Sequence, residues 1–227
     1  MNTAKEDILL WESFREGDRE AFATLFRNHY EQLYRYGTKF TANVGLLEDA
    51  IQELFIELWQ AKNRNPVVSV RAYLLKSLKY KLLKEHRKSR LLFPVTDGDG
   101  RFEWSQESLM IAGEEDREKK QRIINALAGL TGRQKEIIYL KYYQNLGYDE
   151  ISEIMNINYQ VARNLLYQAI KSLKNMLAGP LELFLLFLLS TGITFSQNGP
   201  QVHWPNARHK ISHTLPTDKS VQTVAPN

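Results

Sequence analysis

The chain has 227 residues and a formal net charge of +4, which is enough length for one or two domains with cores of their own. It contains no cysteine, which excludes a disulfide framework and Cys-ligated zinc and suits the reducing cytoplasm. Met1 to Glu12 is polar and acidic, without a basic lead into an apolar run, so no signal peptide is expected. The small net charge hides segregation: Glu48, Asp49, Glu53 and Glu57 form an acid block, Arg71 to Arg90 is densely basic, and Glu103 to Glu118 is acidic again. Such blocks suit partners of different sign for different segments.

Residues from about Ile8 to Leu92 read as an all-helical domain. Gly17-Asp18 starts a helix in which Phe22, Leu25, Phe26, Leu33 and Tyr34 recur at helical spacing, the pattern of a core face. Thr41 to Gly45 is a connector. Leu46 to Trp59 follows, with Leu47, Ile51, Leu54 and Leu58 as its inward stripe. Its other side carries Asp49, Gln52, Glu53 and Ile56, an apolar centre in a polar rim that fits a docking face. Lys62 to Pro66 is a basic loop containing Lys62 and Arg64, and Ser69 is placed to cap a long helix from Val70 to about Arg90. Leu74, Leu75, Leu78 and Leu82 face inward on it. Tyr73, Lys76, Tyr80, Lys84 and Arg87 form one outer stripe of cations interleaved with aromatics, suited to the phosphates and bases of single-stranded nucleic acid.

Phe93 to Asp116 carries Pro94, Gly98, Gly100 and many acids with little periodicity, which marks a linker whose Phe102 and Trp104 could pin it to a surface. Helical period resumes at Glu118 with Ile123, Ile124 and Leu127. Thr131 with Gln134 makes a capping box for a helix burying Ile137, Ile138 and Leu140. The turn at Asn145-Leu146-Gly147 leads into Tyr148 to Met155, and Asn156-Ile157-Asn158 makes a second turn with Asn158 as N-cap of the last helix. That helix turns Ala162, Leu166, Ala169 and Leu173 inward and Gln160, Arg163, Asn164, Tyr167, Lys171 and Lys174 outward. Helix, tight turn and a second helix with an amide- and base-rich outer face free of acids describe a helix-turn-helix DNA reader. Gln and Asn pair with adenine and Arg with guanine, while lysines further along suit phosphates.

The end of the chain differs. Leu183 to Leu189 is unbroken Leu and Phe within a wider apolar stretch, residues 177–195, interrupted by Pro180, Glu182 and Ser190. A membrane span needs about 20 mainly apolar residues, so docking on protein is favoured over membrane contact. Residues 196–227 are rich in Pro, Thr, Ser and Asn and are expected to be disordered. His203, His209 and His213 lie there without a nearby carboxylate or Cys, so no metal site and no cofactor is expected.

These residues resemble a bacterial sigma-70-family transcription initiation factor of the extracytoplasmic-function (ECF) type. The resemblance runs from Gly17 to Lys174. Gly17-Asp18-Arg19-Glu20-Ala21-Phe22 is similar to the opening of the family's region 2, and Glu48 to Trp59 matches its D-x-x-Q-E-x-F-x-x-x-W core-binding helix. Ala72-Tyr73-Leu74 begins what looks like the promoter −10 helix, and Leu130 to Leu173 is similar to region 4, which reads the −35 element. The resemblance implies an all-α architecture, with region 2 over residues 5–92, a flexible acidic linker over 93–117 and region 4 over 118–178; the hydrophobic then disordered tail over 179–227 lies outside the family core. It implies that Asp49, Gln52, Glu53 and Ile56 dock on core RNA polymerase. Lys62, Arg64 and the stripe Tyr73, Lys76, Tyr80, Lys84 and Arg87 would capture the melted −10 strand. Gln160, Arg163, Asn164, Tyr167, Lys171 and Lys174 would meet the −35 duplex. An anti-sigma factor is compatible with that membership. Tyr80 departs from the Asn often found in the family, and Leu165 from an Arg.

Two other classes compete. A stand-alone helix-turn-helix regulator accounts for Thr131 to Lys174 but leaves the acid-and-isoleucine face and the Tyr–Lys stripe without work. A nucleic-acid enzyme would need a phosphate-binding Gly loop or a His/Asp cluster beside Asp49 and Glu53, and the sequence supplies neither.

Overall fold

The computed structural model describes residues 3–61, 65–92, 102–104 and 117–177, and every regular element among them is helical. In chain order these are α1 (Thr3–Arg15), α2 (Arg19–Gly37), α3 (Val44–Gln60), α4 (Val70–Leu92), α5 (Arg117–Ala128), α6 (Gly132–Ile138), α7 (Tyr148–Met155) and α8 (Tyr159–Leu177). A single π-helical turn, Tyr139–Tyr143, continues α6.

Helices α1 to α4 form the first bundle. Asp18 caps α2, its carboxylate accepting from the amides of Glu20 at 2.8 Å and Ala21 at 3.1 Å. Gly17 makes the preceding turn at φ +100°, a conformation that costs glycine no Cβ clash. Phe22, Leu25, Phe26 and Leu33 are buried as their spacing predicts, whereas Tyr34 is only half-buried and Tyr36 takes the deeper place. The first helix, unresolved by the sequence reading as a separate element, adds Trp11 and Phe14 to that core. Phe14, Phe22, Phe55 and Trp59 meet ring to ring, with centroids of neighbouring pairs 5.1 to 6.3 Å apart. Gly37 lies against α3 so closely that an added Cβ would stand 2.2 Å from Leu47 Cδ1.

Helices α5 to α8 form the second bundle. The capping box at the start of α6 is present, with Gln134 N donating to Thr131 Oγ1 at 3.3 Å and Thr131 N to Gln134 Oε1 at 3.0 Å. Ile137, Ile138, Leu140, Ile151, Ile154, Ala162, Leu166, Ala169 and Leu173 are all buried. The two turns of the reader each hold one left-handed Asn, Asn145 at φ 50° and Asn156 at φ 51°. Asparagine tolerates that conformation better than most residues.

The bundles pack on each other, α4 against α7. At the junction Glu136 is 4% exposed and accepts from Tyr36 Oη at 2.6 Å and from Lys79 Nζ at 2.7 and 2.9 Å. Residues 102–104 of the linker run through the same junction. Phe102 is buried between Tyr36, Phe40 and Tyr139, with centroids 6.2, 5.6 and 5.2 Å away, and Trp104 packs on Tyr143 at 4.9 Å. Glu103 N donates to the Lys39 carbonyl at 2.8 Å, and its carboxylate accepts from Lys135 at 2.7 Å. The aromatic pair therefore does pin the linker. The rest of the linker and the apolar segment beyond Leu177 lie outside the described residues.

Candidate nucleic-acid interface

Helix α3 is started by Asn43, whose side chain accepts from Leu46 N at 3.0 Å, and is fixed by Leu47, Ile51, Leu54, Phe55 and Leu58 in the core. That rotation leaves Asp49 and Glu53 exposed and Gln52 and Ile56 half-buried. Ile56 thus stands as a partly covered apolar centre beside charged groups, as the pattern predicts. Glu53 and Glu57 both reach Lys81 of α4, at 3.7 and 2.6 Å, and both carboxylates remain about two-thirds exposed.

Helix α4 is capped by Ser69, whose Oγ accepts from Ala72 N at 3.2 Å. Leu74, Leu75, Leu78 and Leu82 are fully buried, which presents Lys76, Tyr80, Lys84 and Arg87 to solvent. Tyr73 is half-buried: its ring meets the edge of Trp11 at 5.3 Å, and the Trp11 indole N–H donates to the Asn65 carbonyl at 3.1 Å. Trp11 therefore braces both the beginning of the stripe and the end of the basic loop. Within that loop Lys62 and Arg64 lie outside the described residues. Lys88 hydrogen-bonds Glu85 and holds its carboxyl below the usual range, so Glu85 keeps its charge beside Lys84 and Lys81. A groove of about 690 Å³ runs between α3 and α4 with Asp49, Glu53, Tyr80, Lys81, Lys84 and Lys88 in its walls. The carboxylates of α3 and the aromatic–cationic stripe of α4 are thus two sides of one furrow.

Helix α8 begins at Asn158, whose side chain accepts from Val161 N at 2.8 Å. Burial of Ala162, Leu166, Ala169 and Leu173 leaves Gln160, Arg163, Asn164, Tyr167, Lys171 and Lys174 exposed on one face. Gln160 Nε2 donates to Asn164 Oδ1 at 3.2 Å, so the two amides are aligned as one unit at the N-terminal end of the helix. That end is the part of such a helix that reaches base edges in a major groove.

Sequence periodicity missed the cations of α4 that do not lie on the outer stripe. Arg71, Lys79 and Lys81 all engage carboxylates across helix boundaries. Their signal was present only as the excess of basic residues over the three in the stripe. Among the described residues no group of three His, Asp or Glu side chains is placed to hold a metal ion, and no helix is long and apolar enough to cross a membrane.

Comparison with known proteins agrees with this arrangement. Residues 25–91 match the family model of Sigma-70 region 2, and residues 120–173 match that of Sigma-70, region 4. The chain is 25% identical over 173 residues to the ECF RNA polymerase sigma factor SigK of Mycobacterium ulcerans, covering 71% of this chain and 88% of that one. It is also 25% identical over 185 residues to the SigK of a Mycobacterium sp. (strain JLS), covering 77% and 92%. A solved structure of CnrH in complex with the cytosolic domain of CnrY shares the fold, with a TM-score of 0.52, 18% identity and coverage of 76% of this chain and 97% of that one. With both conserved regions matched, in order and on the two bundles, the chain belongs to the sigma-70 family as an ECF sigma factor, a subunit that directs core RNA polymerase to promoters.

Proposed function

We propose that the chain divides its work among three faces. Asp49, Gln52, Glu53 and Ile56 on α3 grip core polymerase. Lys62, Arg64, Tyr73, Lys76, Tyr80, Lys84 and Arg87 take the melted −10 strand, and Gln160, Arg163, Asn164, Tyr167, Lys171 and Lys174 read the −35 duplex. Residues 5–92 and 118–178 act as the two modules, joined by 93–117. Catalysis stays with the polymerase, and the chain works in the cytoplasm as its address and strand-capture subunit. One observation carries this reading: α3 presents the exposed carboxylates of Asp49, Glu53 and Glu57, while α8 carries an outer face with no acid at all. Opposite charges on separate ridges suit a protein partner and a polyanion at once.

The deciding experiment is co-elution with core polymerase followed by promoter-specific run-off transcription. Asp49→Asn with Glu53→Gln is expected to abolish co-elution and transcripts together while the circular dichroism spectrum stays unchanged. Retained transcription in that double variant would remove α3 as the docking face. For the upstream element, Arg163→Ala is expected to lose about 1–3 kcal/mol of discrimination at a single base position, the worth of one bidentate contact. A binding-site selection with the holoenzyme reads this out as one relaxed column, and an unaltered matrix excludes Arg163 as a base reader.

A further inference from the structure

Helix α1 ends before either family match begins, since the region 2 match starts at residue 25. Its Trp11 is 2% exposed, so the indole N–H has left water and needs an acceptor within the protein. That acceptor is the carbonyl of Asn65, 54 residues further on and 3.1 Å away. Pro66 follows Asn65 and confines it to extended backbone, which narrows the direction in which the carbonyl can point. The same indole meets the Tyr73 ring edge to face, with centroids 5.3 Å apart and planes at 64°. One rigid side chain thus holds both the exit of the basic loop and the first ring of the stripe. Tyr73 is in turn one wall of a groove of about 500 Å³ between the end of α3 and α4, with Leu54, Leu58, Ala61 and Tyr80 among the others. Apolar walls with two rings suit a base turned out of its stack.

The helix that carries Trp11 is itself held fast. Phe14, fully buried, packs on Phe22 and Trp59, and Asp7 Oδ1 stands 3.3 Å from Nε2 of His29, which is 4% exposed. The loop has an anchor at each end. Ala61 N donates to the Glu57 carbonyl at 2.9 Å where α3 stops, and Trp11 takes the other end. The first anchor belongs to α3 itself, whereas the second comes from a different helix and also touches Tyr73. A buried donor without its acceptor is costly, so the indole keeps the Asn65 carbonyl in place. We propose that Trp11 is a positioning residue for base choice at the −10 element: out of reach of any nucleotide, it fixes the exit of the loop against the Tyr73 wall, so the groove keeps one width. The inference rests on the assignment of the loop and α4 to strand capture.

The test is a binding-site selection with the holoenzyme in which both promoter elements are randomised and read from the same pool. Trp11→Phe keeps an aromatic ring in the core and removes the N–H. β-(3-benzothienyl)alanine placed at position 11 also keeps the size and shape of the indole and lacks only the donor. Both are expected to lower the preference for the favoured base at the −10 element about three- to tenfold, since the tether transmits at most the worth of one hydrogen bond. The −35 columns are expected to stay as sharp as the parent's, because α8 reads its duplex from the other bundle. A Trp11 that merely supported the fold would lower the yield of active holoenzyme and leave the base preferences of both elements alone. Parent-like −10 columns with the benzothienyl side chain, or both elements relaxed together, would overturn the proposal. Lys84→Ala separates this outcome from a failure of the assignment beneath it. It is expected to weaken the binding of a fluorescein-labelled −10 single strand to the holoenzyme and to reduce the slope of log affinity on log salt by about 0.7. A parent-like slope would bring down the assignment of α4 and the proposal with it, whereas a reduced slope beside unchanged −10 columns overturns the proposal alone.

Discussion

Replacing Glu136 by alanine is expected to destabilise the protein by about 3–5 kcal/mol, the cost of stripping one partner from a buried ion pair. The side chain is one of few charged groups among the described residues to be nearly fully buried, and it serves two donors at once, Lys79 and Tyr36. Alanine leaves an ammonium and a phenol at the junction without their acceptor, and the phenol, fully buried, cannot turn to bulk water without parting the bundles. Glutamine at the same position is expected to cost less, since its oxygen still accepts from Tyr36. Urea unfolding of both variants checks the order, and equal midpoints for parent and alanine variant would show that the carboxylate contributes nothing net.

Titration gives an independent reading of the same contact. Burial first, and then the charge and hydrogen bond of Glu136, push the Tyr36 phenol well above its ordinary value of 10.0. The folded state therefore holds this proton at a pH where the unfolded chain releases it. The stability tied to Tyr36 is complete below pH 10.0 and declines as the pH rises beyond that, by about 1.4 kcal/mol per pH unit, until the folded phenol ionises. Glutamine at 136 removes the charge that helps raise the phenol, so the decline should end at a lower pH than in the parent.

The second large effect is expected at Phe102. Truncation to alanine removes a ring that is 2% exposed and lies among Tyr36, Phe40, Tyr139 and Trp104. Phe→Ala in a closed core costs about 3–5 kcal/mol. The ring touches both bundles, so its loss should also change the shape of unfolding. The parent is expected to melt in one cooperative step, and Phe102→Ala in two, the weaker belonging to the short helices of the second bundle. Calorimetry distinguishes the cases, and a single transition merely shifted to lower temperature would mean that Phe102 stabilises one bundle alone.

Both effects sit where sequence reading was weakest. Period and capping chemistry are local, and they located the reader almost residue by residue: Thr131 with Gln134, the turn after Met155, Asn158, and the split of α8 into its two faces. The inward stripes of α3 and α4 followed from the same rule. Glu136 did not. In the run Gln134-Lys135-Glu136 a carboxylate beside a lysine reads as solvent-facing, yet Lys135 and Glu136 are both buried because Glu103, Tyr36 and Lys79 reach them from distant parts of the chain. Pairing between groups 32 to 100 residues apart leaves no periodic trace. The aromatic content of the linker was visible as an oddity, though not the cage that receives it. The roles of Arg71 and Lys79 were hidden for a related reason: a basic run shows how many cations exist and not which of them have carboxylates waiting.

The bare α-carbon at Gly37 has a consequence for the face proposed to grip polymerase. With no methyl there, Leu47 settles fully against α2, and α3 hangs at one height above the rest of the first bundle. Asp49 and Glu53 project from the turns that follow, so their elevation over the furrow is metered by a single missing carbon on the far side of the helix. A side chain at Gly37, buried between α2 and α3, would therefore displace a face on the opposite side of α3 that it never meets.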